Sequence, residues 1–148
     1  MNRIPIAVVT EDEELLPRYA TVGASGADLR ANLKAPLEIL PGKRAIVPTG
    51  IICEIPEGYE LQVRPRSGFA AKQGITVLNT PGTIDADYRG EICVILINLG
   101  DDPFVVLPKM RIAQLILMPV VQAEFFSAVK PLTETVRGID GFGHTGAH

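Results

Sequence analysis

Apolar residues in this chain come in short runs, and turn-forming residues cut them at a nearly regular interval. From Leu37 to Val63 the cuts fall at Leu40–Lys43, Pro48–Gly50 and Ile55–Tyr59, leaving Leu37–Leu40, Arg44–Val47, Ile51–Ile55 and Tyr59–Val63 as candidate strands. Strand-sized runs separated this way by Pro and Gly predict an antiparallel sandwich or barrel. Residues 4–9 alternate loosely and predict a first strand, at an edge or exchanged. Thr76–Leu78, Glu91–Asn98, Phe104–Leu107, Arg111–Met118 and Gln122–Ala128 extend the series. Within it Ile92–Ile97 is apolar and largely β-branched, which reads as a buried strand. No helical period alternates with the strands, so a doubly wound sheet is not expected.

Arg64–Gly74 breaks the pattern and is the one helix candidate. Ser67 is placed as an N-cap, Ala70 and Ala71 favour helix, and Gly74 supplies a stop. Free N–H groups, a hydroxyl and Arg66 at such a start suit an anion. On this stretch alone a capped surface helix with solvated arginines is the simpler reading.

Pro81–Asn98 concentrates polar groups differently. Asp85, Asp87, Tyr88 and Arg89 share one turn with Gly82 and Gly90, directly ahead of the apolar run. A polar turn clamped to a core strand is how a scaffold holds chemistry still. Small residues in Gly23–Arg30 lead to Asp28, predicted to be buried and hydrogen-bonded; ordering a turn and serving a site are equally open roles for it. Gln114 interrupts the apolar stretch Arg111–Leu117 and must find partners, so it is expected to brace a loop. Beyond Pro131 the composition changes. Arg137–Gly146 holds four glycines and no period, which predicts a mobile arm, 131–148, on a folded body, 1–130. Arg137, Phe142 and Thr145 between those glycines suit a flap that closes over a ligand.

Composition narrows the classes further. The 148 residues suit one domain with a real core. A net charge of −3 argues against gripping nucleic acid through the overall field, so any polyanion would be caught by a few placed arginines and backbone N–H groups. No apolar stretch is long enough for a membrane span, and the acids from Glu11 to Glu14 do not suit a signal peptide. Cys53 and Cys93 both sit in apolar runs and read as buried, reduced thiols of a cytoplasmic protein. Gly141–Gly146 fits the dinucleotide fingerprint only formally, with no strand before it and no helix after. A calcium-loop pattern begun at Asp85 fails at Arg89 and Leu96. His144 and His148 are the only histidines, too few for a Ser–His hydrolase or a histidine zinc site.

Five of these stretches, in order, resemble the trimeric deoxyuridine triphosphatases: Ala24–Leu29, Pro65–Ala70, Gly82–Gly90, Arg111–Leu115 and Arg137–Gly146. The resemblance implies an all-β, jelly-roll-like distorted barrel or sandwich with one short helix and a flexible glycine-rich C-terminal arm. It implies a homotrimer whose active sites are shared between subunits. It further implies hydrolysis of dUTP to dUMP and pyrophosphate by water attack at the α-phosphorus, which keeps uracil out of DNA and supplies dUMP for dTMP synthesis. By the same resemblance Asp85 deprotonates that water, Tyr88 packs under the deoxyribose, and Asn79 reads the uracil edge. Gly82, Thr83 and Ile84 bind the substrate, and a tight hairpin leaves no space for a thymine methyl. Arg66, Ser67 and Gly68 hold the α- and β-phosphates. In the arm, Arg137 and Thr145 hold the γ-phosphate and Phe142 stacks on uracil beside Gly143. Asp28 and Gln114 support the site. Mg2+ is expected on the triphosphate and water, with no direct protein ligand. Ile139, Asp140 and His144 depart from the commonest arm, and Asp140 is expected to face solvent. The related deaminases of deoxycytidine triphosphate carry a glutamate where this chain has Ile95, which disfavours deamination. A nucleotide-binding regulatory protein without turnover is the rival from another class; Asp85 and the intact arm argue against it.

Overall fold

A computed structural model describes residues 3–142. Its elements follow the regular cuts of the sequence. In chain order they are β1 (Ala7–Val9), a 3-10 turn (Glu13–Leu15), β2 (Arg18–Tyr19), β3 (Ala27–Arg30), β4 (Leu37–Ile39), β5 (Arg44–Pro48), β6 (Ile52–Glu54), β7 (Tyr59–Arg64), α1 (Ser67–Gln73), β8 (Ile75–Val77), β9 (Gly82–Ile84), β10 (Cys93–Asn98), β11 (Phe104–Val106) and β12 (Arg111–Pro119). All pairing is antiparallel. The strands form four sheets, ordered β2-β3-β12-β7-β9, β5-β10-β8, β11-β4 and β1-β6, with no closed barrel among the described residues. Among those residues no helix is long and apolar enough to cross a membrane.

One core joins the sheets. Leu29, Val63 and Leu115 meet Val47, Val94 and Leu96 there, each 3% exposed or less. Burying apolar area at about 25 cal/mol per Å2 is the main force assembling such short strands. Among the described residues Asn98 and Thr49 are the buried polar side chains, and both are satisfied. Asn98 Nδ2 donates to the carbonyls of Ile39 and Asp102, both at 2.8 Å, and its Oδ1 accepts from the Gly100 N–H at 2.9 Å. It thereby ties the end of β10 to β4 and the following turn.

Three expectations need correction. Gln122–Ala128 forms no strand: every residue from Val121 to Asp140 is exposed, lacks regular structure and pairs with none of the described strands, and an unpaired extended segment is not stable as a strand in water. The apolar run of β10 is not buried throughout. It alternates, with Val94 and Leu96 inward, Ile95 and Ile97 half-buried and Cys93 exposed, so only Cys53 is a buried thiol. Ser67 is not the N-cap. Arg66 occupies that position in extended conformation and Ser67 is the first helical residue. Gly74 does end the helix, at φ +67°.

Candidate active site

A one-residue irregularity builds the first half of the site. Strand β12 pairs Arg111 with Arg30 but Ala113 with Leu29, so a residue is inserted between Arg111 and Ala113. Without the insertion, residues three apart would face opposite sides of the sheet. With it, Ile112 and Ala113 are both buried, and Arg111 and Gln114 line one hollow together with Asp28 and Arg30 of β3. Arg66, Ser67 and Gly68, at the start of α1, close its other side, with Lys72 and Lys109 near the rim. The hollow measures about 810 Å3.

Its polar groups hold one another. Asp28 is only 20% exposed at its side chain; one carboxylate oxygen pairs with Arg66 and the other lies 3.4 Å from Arg111 Nη1. Gln114 Nε2 donates to the Pro65 carbonyl at 3.0 Å, the predicted brace, and so fixes the turn that presents Arg66. A Cβ on Gly26 would lie 3.1 Å from Gln114 Cβ, closer still to its amide, so glycine there makes the space for that brace. Phe69 meets Phe104 edge-on at 5.2 Å between ring centres and anchors α1 to the core. Ser67, at the first helical position, is exposed.

The second half lies on the turn after β9. Thr83, Ile84, Asp85 and Tyr88 line a separate hollow of about 310 Å3 with Ile46, Glu91, Cys93 and Ile95. The turn is held by its own hydrogen bonds. The Tyr88 N–H donates to the Asp85 carbonyl (3.1 Å), the Tyr88 hydroxyl to the Glu91 carbonyl (3.0 Å), and Arg89 Nη1 to the Ala86 carbonyl (2.6 Å). The Glu91 carboxylate accepts from the Gly50 N–H at 2.7 Å, tying the turn to the β5–β6 connection. Asp85 is exposed. Burial, and next the nearby Glu91, push the Cys93 thiol up, so Cys93 is a poor nucleophile at neutral pH. Asn79 is exposed and lies beside Gly82, where a Cβ would come 3.4 Å from its Nδ2.

These halves do not meet in one chain. Strand β9 runs antiparallel to β7, Gly82 facing Val63 and Ile84 facing Leu61. Asp85 therefore continues toward the Glu60 end, while Arg66 follows the other end of β7. At about 3.3 Å per residue the two are separated by roughly 15–20 Å. Of the arm residues, Arg137, Asp140 and Phe142 are exposed and Arg137 and Phe142 line neither hollow; Gly143, His144 and Thr145 lie outside the described residues. Among the described residues no group of three His, Cys, Asp or Glu side chains could hold a metal ion. Sequence reasoning gave no role to Arg111, Lys109, Ile46 or Glu91. Only Arg111 carried a signal, its position in the fourth motif, and the inserted residue that turns it into the hollow is not legible in a spacing of three.

An antiparallel β fold that carries a basic hollow and a separate carboxylate turn defines a protein built to seat a small polyanion. Comparison with known proteins gives the particular family. The dUTPase family profile matches residues 12–146. The deoxyuridine 5'-triphosphate nucleotidohydrolase of Chlamydia pneumoniae is 69% identical over 132 residues, covering 89% of this chain and 91% of that one. The protein of the same name from Chlamydia trachomatis serovar L2 is 61% identical over 136 residues, covering 92% and 94%. The solved structure of Staphylococcus bacteriophage 80alpha dUTPase with dUPNHPP superposes at a TM-score of 0.80 and 23% identity, covering 96% of this chain and 98% of that one. A variant of the dUTPase from phage phi11 of S. aureus, described with a coordinated structural Mg(II) ion, gives 0.77 at 18% identity, covering 88% and 100%. These structures share the fold. This chain belongs to the dUTPase family.

Proposed function

We propose that this protein is a dUTP diphosphatase, hydrolysing dUTP to dUMP and pyrophosphate in the cytoplasm and so lowering the uracil available for DNA while supplying dUMP for dTMP synthesis. The observation that carries the reading is the 69% identity, spread over 89% of the chain, to a protein named for that activity. The basic hollow and the exposed carboxylate turn are chemically suited to it.

In this reading Arg66, Ser67 and Gly68 hold the α- and β-phosphates, with Asp28 and Gln114 fixing the Arg66 turn. Asp85 takes a proton from a water molecule as that water's oxygen bonds to the α-phosphorus. The bond from the α-phosphorus to the bridging oxygen breaks, and pyrophosphate leaves with the bonding pair. A positioned carboxylate base contributes roughly 10²–10⁴-fold. Asn79 pairs with the uracil edge, so cytosine would leave buried groups unpaired. Gly82, Thr83 and Ile84 of β9 line the base with no space for a methyl group, and the Tyr88 ring leaves none for a 2′-hydroxyl. The arm, 131–148, closes over the body, 1–130, with Phe142 and Gly143 on the base and Arg137 and Thr145 on the γ-phosphate. The substrate is the magnesium complex of dUTP. The phosphates and water would hold the ion, which would draw negative charge off the phosphate oxygens.

Because Asp85 and Arg66 are roughly 15–20 Å apart in one chain, the reading requires a second copy to join them, and a homotrimer with shared sites meets that requirement. An apolar face beside the Asp85 hollow, with Ile46 67% exposed opposite Ile95, supports a covering neighbour. The test is to offer dUTP, dCTP, dTTP and UTP with Mg2+ and identify products. Pyrophosphate and dUMP from dUTP alone are expected; deaminated product from dCTP, or binding of dUTP without turnover, would refute the reading.

A further inference from the structure

Gly90 is a glycine for a reason other than backbone conformation. Its φ lies outside the left-handed region that five other glycines of the chain occupy, so an alanine could adopt the same backbone. What forbids a side chain is the Tyr88 ring. A Cβ on Gly90 would lie 2.5 Å from Tyr88 Cζ, 2.9 Å from Cε2, and closest of all to the hydroxyl. Carbon atoms rest at about 3.5–4.0 Å, so the ring would have to move by about 1 Å. The hydroxyl is also tethered, donating to the Glu91 carbonyl at 3.0 Å. Glu91 is itself tied to Gly50 through its carboxylate. The tip of the ring thus stands where a Gly90 side chain would be and is tethered through its hydroxyl, while Tyr88, 44% exposed, also lines the Asp85 hollow.

We propose that Gly90 is a specificity-positioning residue: by admitting the Tyr88 ring against its backbone it sets the height of the platform on which the sugar rests, and hence the discrimination between deoxyribose and ribose triphosphates. The inference rests on the reading of Tyr88 as the sugar platform. Gly90 touches no substrate and acts through the ring.

The experiment is a double-mutant cycle on the full chain, with wild type, Gly90→Ala, Tyr88→Ala and the double variant. Its readout is the ratio of kcat/KM for dUTP over that for UTP. A displacement of about 1 Å in a positioning group changes rates by roughly tenfold to a hundredfold, so Gly90→Ala is expected to lower the ratio by about tenfold or more. With the ring removed nothing remains for the new methyl to displace, and the double variant should match Tyr88→Ala. That arm also serves if Gly90→Ala alone folds poorly, since the clash is absent from it. A ratio unchanged by Gly90→Ala, or a double variant well below Tyr88→Ala, overturns the inference. A wild-type protein that does not prefer dUTP over UTP overturns the platform reading itself, and this inference with it.

Discussion

The helix carrying Arg66 and Ser67 depends on one backbone position at its far end. Gly74 sits at φ +67°, its N–H donates to the Ala70 carbonyl at 3.2 Å, and its carbonyl accepts from the Leu99 N–H at 2.9 Å. Replacement by alanine is penalised twice. The left-handed conformation costs a Cβ-bearing residue about 1–2 kcal/mol. The new methyl would also lie 2.6 Å from Gly100 N and 2.9 Å from both Gly100 Cα and Leu99 C. Those are backbone atoms, which cannot swing aside, and overpacking of this kind costs about 1–3 kcal/mol. The sum, about 2–5 kcal/mol, corresponds to a fall in Tm of roughly 4–20 °C for a chain of this size. The assay is thermal unfolding by circular dichroism at one fixed protein concentration, because stability of an oligomer depends on concentration. A companion measurement is KM for dUTP, expected to rise because the helix start loses its fixed distance from Gln114. A Tm within about 1 °C of wild type would refute the reasoning, since neither the strain nor the clash could then be real.

Other perturbations follow from single contacts. Asn98→Ala removes two donated bonds and one accepted bond from a buried position, leaving the Ile39 and Asp102 carbonyls and the Gly100 N–H unpaired; a loss of about 2–4 kcal/mol is expected in urea unfolding. The hydrogen bond to Lys109 holds Asp12 below the ordinary carboxylate value of 3.8, and the same bond raises Lys109 above 10.5. The depressed Asp12 contributes stability that is present above pH 3.8 and lost as pH falls through its folded value; Lys109 contributes below 10.5 and loses it as pH rises through its own. Asp12→Asn should therefore flatten both edges of the urea midpoint against pH and leave the shape between them unchanged. An unaltered acid limb in that variant would show that the pair does not act on stability.

What the sequence discloses here follows from the range of the interactions involved. Strands bounded by Pro and Gly were legible, because turn chemistry is local; β5, β7 and β12 fall within a residue or two of their expected ends. The two faces of β10 were not. Ile95 and Ile97 look as apolar as Val94 and Leu96, and only the pairing shows that one face carries Ile46 outward. A serine ahead of a helix predicts a cap, yet Arg66 in extended conformation takes that place and Ser67 becomes the first helical residue. Asp28 and Gln114 could be suspected from their polarity within apolar or small-residue runs, and their partners, Arg66 and the Pro65 carbonyl, lie on one turn. The separation of Asp85 from Arg66 was beyond reach, since it depends on the antiparallel register of β9 against β7.

That separation makes sharing of sites between chains directly measurable. If sites are shared, a chain damaged at Asp85 and a chain damaged at Arg66 each keep the half the other lacks. The direct measurement is to prepare Asp85→Asn and Arg66→Ala proteins, unfold and refold them together in equal amounts, and assay dUTP hydrolysis. Each variant alone is expected to be nearly inactive. With random assembly the intact pairing occurs at about a quarter of the sites, so the mixture should regain about a quarter of wild-type activity. A mixture no more active than its components would contradict the shared site and require Asp85 and Arg66 to meet within one chain.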